Sequence, residues 1–114
     1  MKQEYLGKWR IIEMELWDQE FVDLVVQGYI DIRAKSRGEF QFVAVHGFMD
    51  YRIESCGDFE QLVFSWIGTD DMDPVNGRGW VKLGKDRLEG RIFFHDGDDS
   101  GFVAVRMPKI SGKR

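Results

Sequence analysis

The chain has 114 residues, 43% of them hydrophobic and 32% charged, with a net charge of −4. That length suits a single domain able to bury a core without staples, and the acidic balance argues against a nucleic-acid binder that works by neutralising phosphates. Cys56 is the single cysteine and excludes an intramolecular disulfide; with no membrane-length apolar run and no signal-peptide core, the expectation is a cytoplasmic protein that binds neither membrane nor nucleic acid.

In chain order the sequence alternates short apolar-periodic runs with turn residues. Strands are expected over 6–15, 28–34, 39–45, 48–55, 60–68, 77–83, 87–95 and 101–107. Turn signals separate them at Ser36-Arg37-Gly38, His46-Gly47, Cys56-Gly57-Asp58, Gly84-Lys85-Asp86 and Asp96-Gly97-Asp98. The connection after the first strand differs. In Trp17 to Val26, Asp18 is a candidate N-cap and Phe21, Leu24 and Val25 recur at helical spacing, so a short helix or lid is expected. Thr69 to Gly77 is rich in Asp, Pro, Asn and Gly and reads as a long loop. Nine phenylalanines and four tryptophans favour a β core. The pattern predicts an all-β protein: one eight-stranded antiparallel up-and-down barrel over residues 1–114.

Two sites in this sequence carry a resemblance. Gly7-Lys8-Trp9 in the first strand and Arg106 in the last, together with eight short strands, resemble the calycin superfamily of lipocalins and fatty-acid-binding proteins. The resemblance implies a barrel with one end closed: Trp9 plugs the floor, Arg106 stacks across it, and Gly7 belongs to the same seal. The chain is shorter than lipocalins and lacks their disulfides. Trp17-Asp18 through Leu24, Gly77-Arg78-Gly79-Trp80 and Gly90 through His95 are similar to patterns in small bacterial proteins of unassigned activity, which implies fold only.

Period two places Phe40, Phe42, Phe64 and Trp66 inside such a barrel. If Trp9 and Ile11 point inward, the same period carries Glu13, and in turn Glu15, inward, with Arg91 or Arg52 as partner. Glu13, Phe40, Phe42, Phe64, Trp66 and Arg91 are therefore the candidate interior ligand site, suited to a small amphiphile. The same register turns Ile12, Met14 and Leu16 outward, a patch that would favour a homodimer.

Connections alternate ends in an up-and-down barrel, so one rim collects Asp18, Glu20, Asp23, Asp70, Asp71, Asp73, Asp96, Asp98 and Asp99 with both histidines, while Lys35, Arg37, Lys85 and Arg87 fall at the other end. His46, Asp70, Asp71, Asp73, His95, Asp98 and Asp99 are the candidate mouth residues for a cation or cationic ligand. Acidic turns also simply keep a barrel soluble. Neither loop has EF-hand spacing, a metal is left open, and no cofactor is implied. No catalytic constellation is visible. Cys56 lies beside Asp58, Ser65 and Ser100 lack a nucleophile motif, and Gly77-Arg78-Gly79-Trp80 precedes no helix and is no phosphate loop. The expected function is non-catalytic binding of a small ligand, or else a protein-interaction module that dimerises through its outer wall.

Overall fold

Apolar residues recur at every second position along the strands, and a closed sheet is the arrangement that buries one face of every strand without leaving an edge. The computed structural model describes residues 3–107, apart from the side chains of Gln3 and Cys56. After a 3₁₀ turn at Gln3–Tyr5 come β1 (Gly7–Met14), α1 (Gln19–Val22), β2 (Tyr29–Arg33), β3 (Arg37–Phe42), β4 (Val45–Cys56), β5 (Phe59–Asp70), β6 (Asp73–Leu83), β7 (Arg87–Phe94) and β8 (Asp99–Arg106). Each strand pairs antiparallel with the next, and β8 closes on β1. No helix among the described residues is long and apolar enough to cross a membrane.

One end is sealed as the Gly-x-Trp pattern implied. Trp9 is buried and pairs directly with Arg106, whose guanidinium carbon sits 4.0 Å from the indole centroid. The guanidinium also donates to the Leu6 carbonyl and, at 2.6 Å, to that of Glu4, while the indole N–H donates to the Tyr5 carbonyl at 3.0 Å. Gly7 has a φ of 120°, and a Cβ there would lie 2.7 Å from Arg106. Glycine is required at this position by its backbone conformation, and it also leaves room for the Arg106 guanidinium.

The interior is filled by pairing large against small across strands. Phe40 lies opposite Gly47, Phe64 opposite Gly79, Trp66 opposite Gly77 and Phe102 opposite Gly90. A Cβ on Gly47 would meet Phe40 at 2.4 Å, and one on Gly79 would meet Phe64 at 2.3 Å. The rings therefore lie across the bare backbone of the neighbouring strand. Phe40 contacts Phe42, Phe64 and Trp66 at centroid distances of 5.6, 6.3 and 5.0 Å, which makes the four aromatics a packed cluster.

Several expectations need correction. β1 carries a bulge between Ile11 and Glu13, so Ile12 and Glu13 both stay outside and Met14 turns in. Glu13 is consequently not an interior residue, and Met14 is buried rather than part of an outer patch. The expected long loop Thr69 to Gly77 is mostly strand: β5 and β6 continue to a two-residue turn at Asp71 and Met72, with φ of 49° and 78°. Positive φ at both central residues matches the twist of the flanking strands, and that twist outweighs the loop-like composition. The turn between β3 and β4 falls at Val43-Ala44, which puts His46 and Gly47 inside β4. Finally, α1 is a single turn capped by Asp18, which accepts from the Phe21 N–H at 3.0 Å. Its buried residue is Val22, while Phe21, Leu24 and Val25 are exposed. One turn is too short for a helical stripe, and Val22 alone reaches the surface left open by Gly28.

Replacing Gly79 with Ala should destabilise the barrel by about 1–3 kcal/mol through overpacking. The added Cβ would meet the Arg91 carbonyl oxygen at 2.6 Å as well as the Phe64 ring. Urea unfolding of Gly79→Ala with an unchanged midpoint would show that the interior is not filled in this way.

Candidate functional site

All four connections at the end opposite Trp9 contribute to one recess of about 470 Å³. Trp17 and Phe21 come from the segment around α1, and Val43 and Val45 from the β3–β4 turn. Asp70 and Val75 flank the β5–β6 turn, and Phe94, His95 and Asp98 come from the end of β7 and its connection to β8. The floor is the upper edge of the aromatic core. Trp17 packs on Phe42 at 5.5 Å between centroids, and Phe94 stands edge-on to Trp66 at 5.2 Å.

Backbone hydrogen bonds latch these connections together. Val43 sits at a φ of 54°, an unfavourable place for a β-branched residue. Its N–H donates to the Val22 carbonyl at 2.8 Å, which ties α1 to the β3–β4 turn. The Asp71 N–H then donates to the Ala44 carbonyl at 3.0 Å, and that of His95 to the Asn76 carbonyl at 2.7 Å. A strained residue fixed from outside its own turn, at the wall of a recess, is the kind of feature that surrounding structure must over-determine.

The acidic mouth is selective in which acids face the recess. Asp70 and Asp98 line it, His95 joins them, and His95 lies 3.3 Å from the carboxylate of Asp96. Asp71 and Asp73 belong to the β5–β6 hairpin outside the lining, with Asp73 opposite Asp70 in register. Asp99 is bound to Arg91 at 2.7 Å, and Asp23 lies 3.6 Å from Arg10. No group of three or more His, Cys, Asp or Glu placed to hold a metal ion occurs among the described residues.

The expected interior site is not assembled. Phe40, Phe42, Phe64 and Trp66 do come together, but as packed core at 4% exposure or less. Arg91 lies on the outer wall, where it bridges Glu15 at 2.8 Å and Asp99. The Gly101 N–H and the Arg91 guanidinium hold the Glu15 carboxyl below its usual range. Glu15 therefore has the partner expected for it, on the opposite face of the sheet. Of the recess lining, only Asp70, His95 and Asp98 were expected at a site; the apolar walls, among them Trp17, Val43, Val75 and Phe94, were not. Phe94 alternates with Leu88 and Ile92, but Phe93 on the other face leaves that strand ambiguous by period two, and Val75 was hidden in a segment that read as loop.

His46 also leaves the mouth. Its ring packs at a tilt against Phe48, 4.6 Å between centroids, on the outer wall and hydrogen-bonds Glu39 at 2.7 Å. Glu39 accepts from the Tyr29 hydroxyl at 2.8 Å and from Arg33 at 2.6 Å as well. Burial alone would raise the Glu39 pKa, but the hydrogen bonds from His46, Tyr29 and Arg33 outweigh it and hold the carboxyl low. The same carboxylate, after burial, pushes the Tyr29 phenol well above its ordinary value.

A carboxyl whose folded pKa is depressed stabilises the fold above its ordinary value, and that contribution is lost as pH falls through the lowered one. Glu39→Gln should cost about 1 kcal/mol at neutral pH, allowing for screening at the exposed Arg33. The difference between the two proteins should then shrink below about pH 4. Urea midpoints measured across that range check it, and a difference that stays constant into acid would remove the charged network as its cause.

No family model, curated protein or solved structure matches this chain, so its function has to be read from the barrel's own surfaces.

Proposed function

We propose that this barrel is a non-catalytic binding protein that takes a small amphiphile with a cationic head into the recess at its mouth. The observation that carries the reading is the composition of that recess: aromatic and aliphatic walls from Trp17, Phe21, Val43, Val75 and Phe94, with Asp70 and Asp98 at its edge. An apolar concavity with a few convergent charged groups, in the size range of small-molecule sites, is the general form of a ligand pocket. The packed interior below restricts the ligand to the mouth, with its apolar part against Trp17 and Phe94 and its charge toward the carboxylates. The closed floor at Trp9 and Arg106 supports placing the chain among the calycin barrels, whose ligands also enter from one end. A single cysteine suits a cytoplasmic location.

Benzylammonium is a suitable probe, titrated by calorimetry and by amide and indole NMR shifts. Trp17→Ala should weaken it about tenfold, the scale of a lost ring–ring contact. Asp98→Asn should weaken it about fivefold, the ~1 kcal/mol of an exposed ion pair. Uncharged benzyl alcohol should bind less well. Absence of any shift at the recess residues up to about 10 mM would sink the proposal.

A second reading, self-association, is favoured by a different observation. Leu24, Val25 and Val26 are exposed at 57%, 63% and 38% in one continuous run, with Ile12 and Leu16 also exposed. Sedimentation should then show a dimer that Val25→Asp dissociates; a monomer at all concentrations would exclude it.

A further inference from the structure

The Gly77-Arg78-Gly79-Trp80 motif has two faces in β6. Its glycines point inward, where Trp66 and Phe64 of β5 occupy the space a side chain would take. Arg78 and Trp80 therefore point outward, onto a wall built in two register rows. One row runs Asp50, Ser65, Arg78, Phe93 from β4 to β7, and the other runs Arg52, Val63, Trp80, Arg91. The short side chains of Ser65 and Val63 lie along β5 between longer ones on β4 and β6. The result is a trough of about 420 Å³.

Charge makes this trough unusual for an acidic protein. Arg10, Arg33, Arg37, Arg87 and Arg91 each pair with a carboxylate, and Arg106 is engaged at the floor. Among the described residues, Arg52 and Arg78 are the arginines with neither an ion pair nor a hydrogen bond, and both line the trough. They stand on strands two apart and in adjacent rows, about 12 Å between backbones at normal strand spacing and rise, a distance that two flexible arginine arms can close around one anion. Asp50, the carboxylate at the edge, already lies 3.5 Å from Arg37. The Ser65 hydroxyl supplies a neutral donor at the base, and Trp80 and Phe93 supply partly exposed ring surfaces at the side.

We propose that this trough is a second binding site, specific for a small aromatic oxyanion. The carboxylate or phosphate would sit between Arg52 and Arg78, whose planar forks match its oxygens, and the ring would lie against Trp80 and Phe93. The assignment accounts for a feature the mouth leaves unused: two guanidinium groups kept without internal partners, on opposite banks of one depression, next to an aromatic wall. Its ligand is opposite in charge to the one the mouth accepts.

Phenyl phosphate, benzoate, inorganic phosphate and benzyl alcohol, each titrated into the full chain, test it by calorimetry and by the Trp80 indole N–H signal. Phenyl phosphate or benzoate should move that signal and bind at least tenfold more tightly than inorganic phosphate or benzyl alcohol; which of the two wins identifies the oxyanion. Arg52→Ala and Arg78→Ala should each weaken binding about tenfold or more. Arg78→Lys should restore only part of it, because the charge returns without the fork. Arg87→Ala, which removes a different surface cation, and Trp17→Ala, at the mouth, should change affinity less than twofold. Both trough arginines are exposed, so their variants should keep the wild-type circular dichroism. Equal affinity for inorganic phosphate, equal loss in Arg87→Ala, or no shift of Trp80 with either aromatic anion would overturn the proposal.

Discussion

The filling of the barrel depends on one constraint: a ring on one strand needs bare backbone on the next. Phe40 over Gly47, Phe64 over Gly79 and Trp66 over Gly77 are the same device repeated across neighbouring strand pairs. An eight-stranded barrel is just wide enough for side chains to fill. Large residues on every strand would overfill it, and small ones would leave voids. Alternating them across a pair lets planar rings lie along the wall and stack toward the axis, at the density expected of a protein interior.

That packing determines where a ligand can be held. With the floor closed by Trp9 and Arg106 and the centre occupied by Phe40, Phe42, Phe64 and Trp66, both proposed sites lie on surfaces that use the core as a backing. At the mouth, Trp17 and Phe94 rest on Phe42 and Trp66, so the recess inherits a rigid apolar floor. On the wall, inward glycines of β6 leave Arg78 and Trp80 as its outward side chains, beside the short residues of β5. The same glycines thus serve the interior directly and the trough through alternation.

The β1 bulge is the clearest case where period-two reasoning failed for the site. Counting from Trp9 and Ile11 places Glu13 inside, which a carboxylate without a partner could not tolerate. One extra residue keeps Ile12 and Glu13 both outside and brings Met14 in, so the desolvation cost never arises. Glu15 and Arg91 were recognised as a possible pair from charge alone, but the face of the sheet on which they meet was not. His46 shows a related limit: two-residue turns at Val43-Ala44 moved it into a strand and onto the outer wall, beside Glu39.

The closed floor at Trp9 and Arg106 was implied by a family resemblance; by itself the sequence determined the fold class, the antiparallel order of eight strands and the gathering of acidic turns at one end. These follow from local periodicity, turn chemistry and the alternation of connections, which act over a few residues at a time. Only the tertiary structure decided which acids face the mouth, that Phe40, Phe42, Phe64 and Trp66 pack against one another inside, and that Arg52 and Arg78 share a trough without carboxylate partners among the described residues. Those facts depend on register across strands, where a single bulge or a shifted two-residue turn exchanges the inside for the outside. Register is set by how rings, glycines and bulges fit together around the closed sheet, and no single segment of the chain carries that fit.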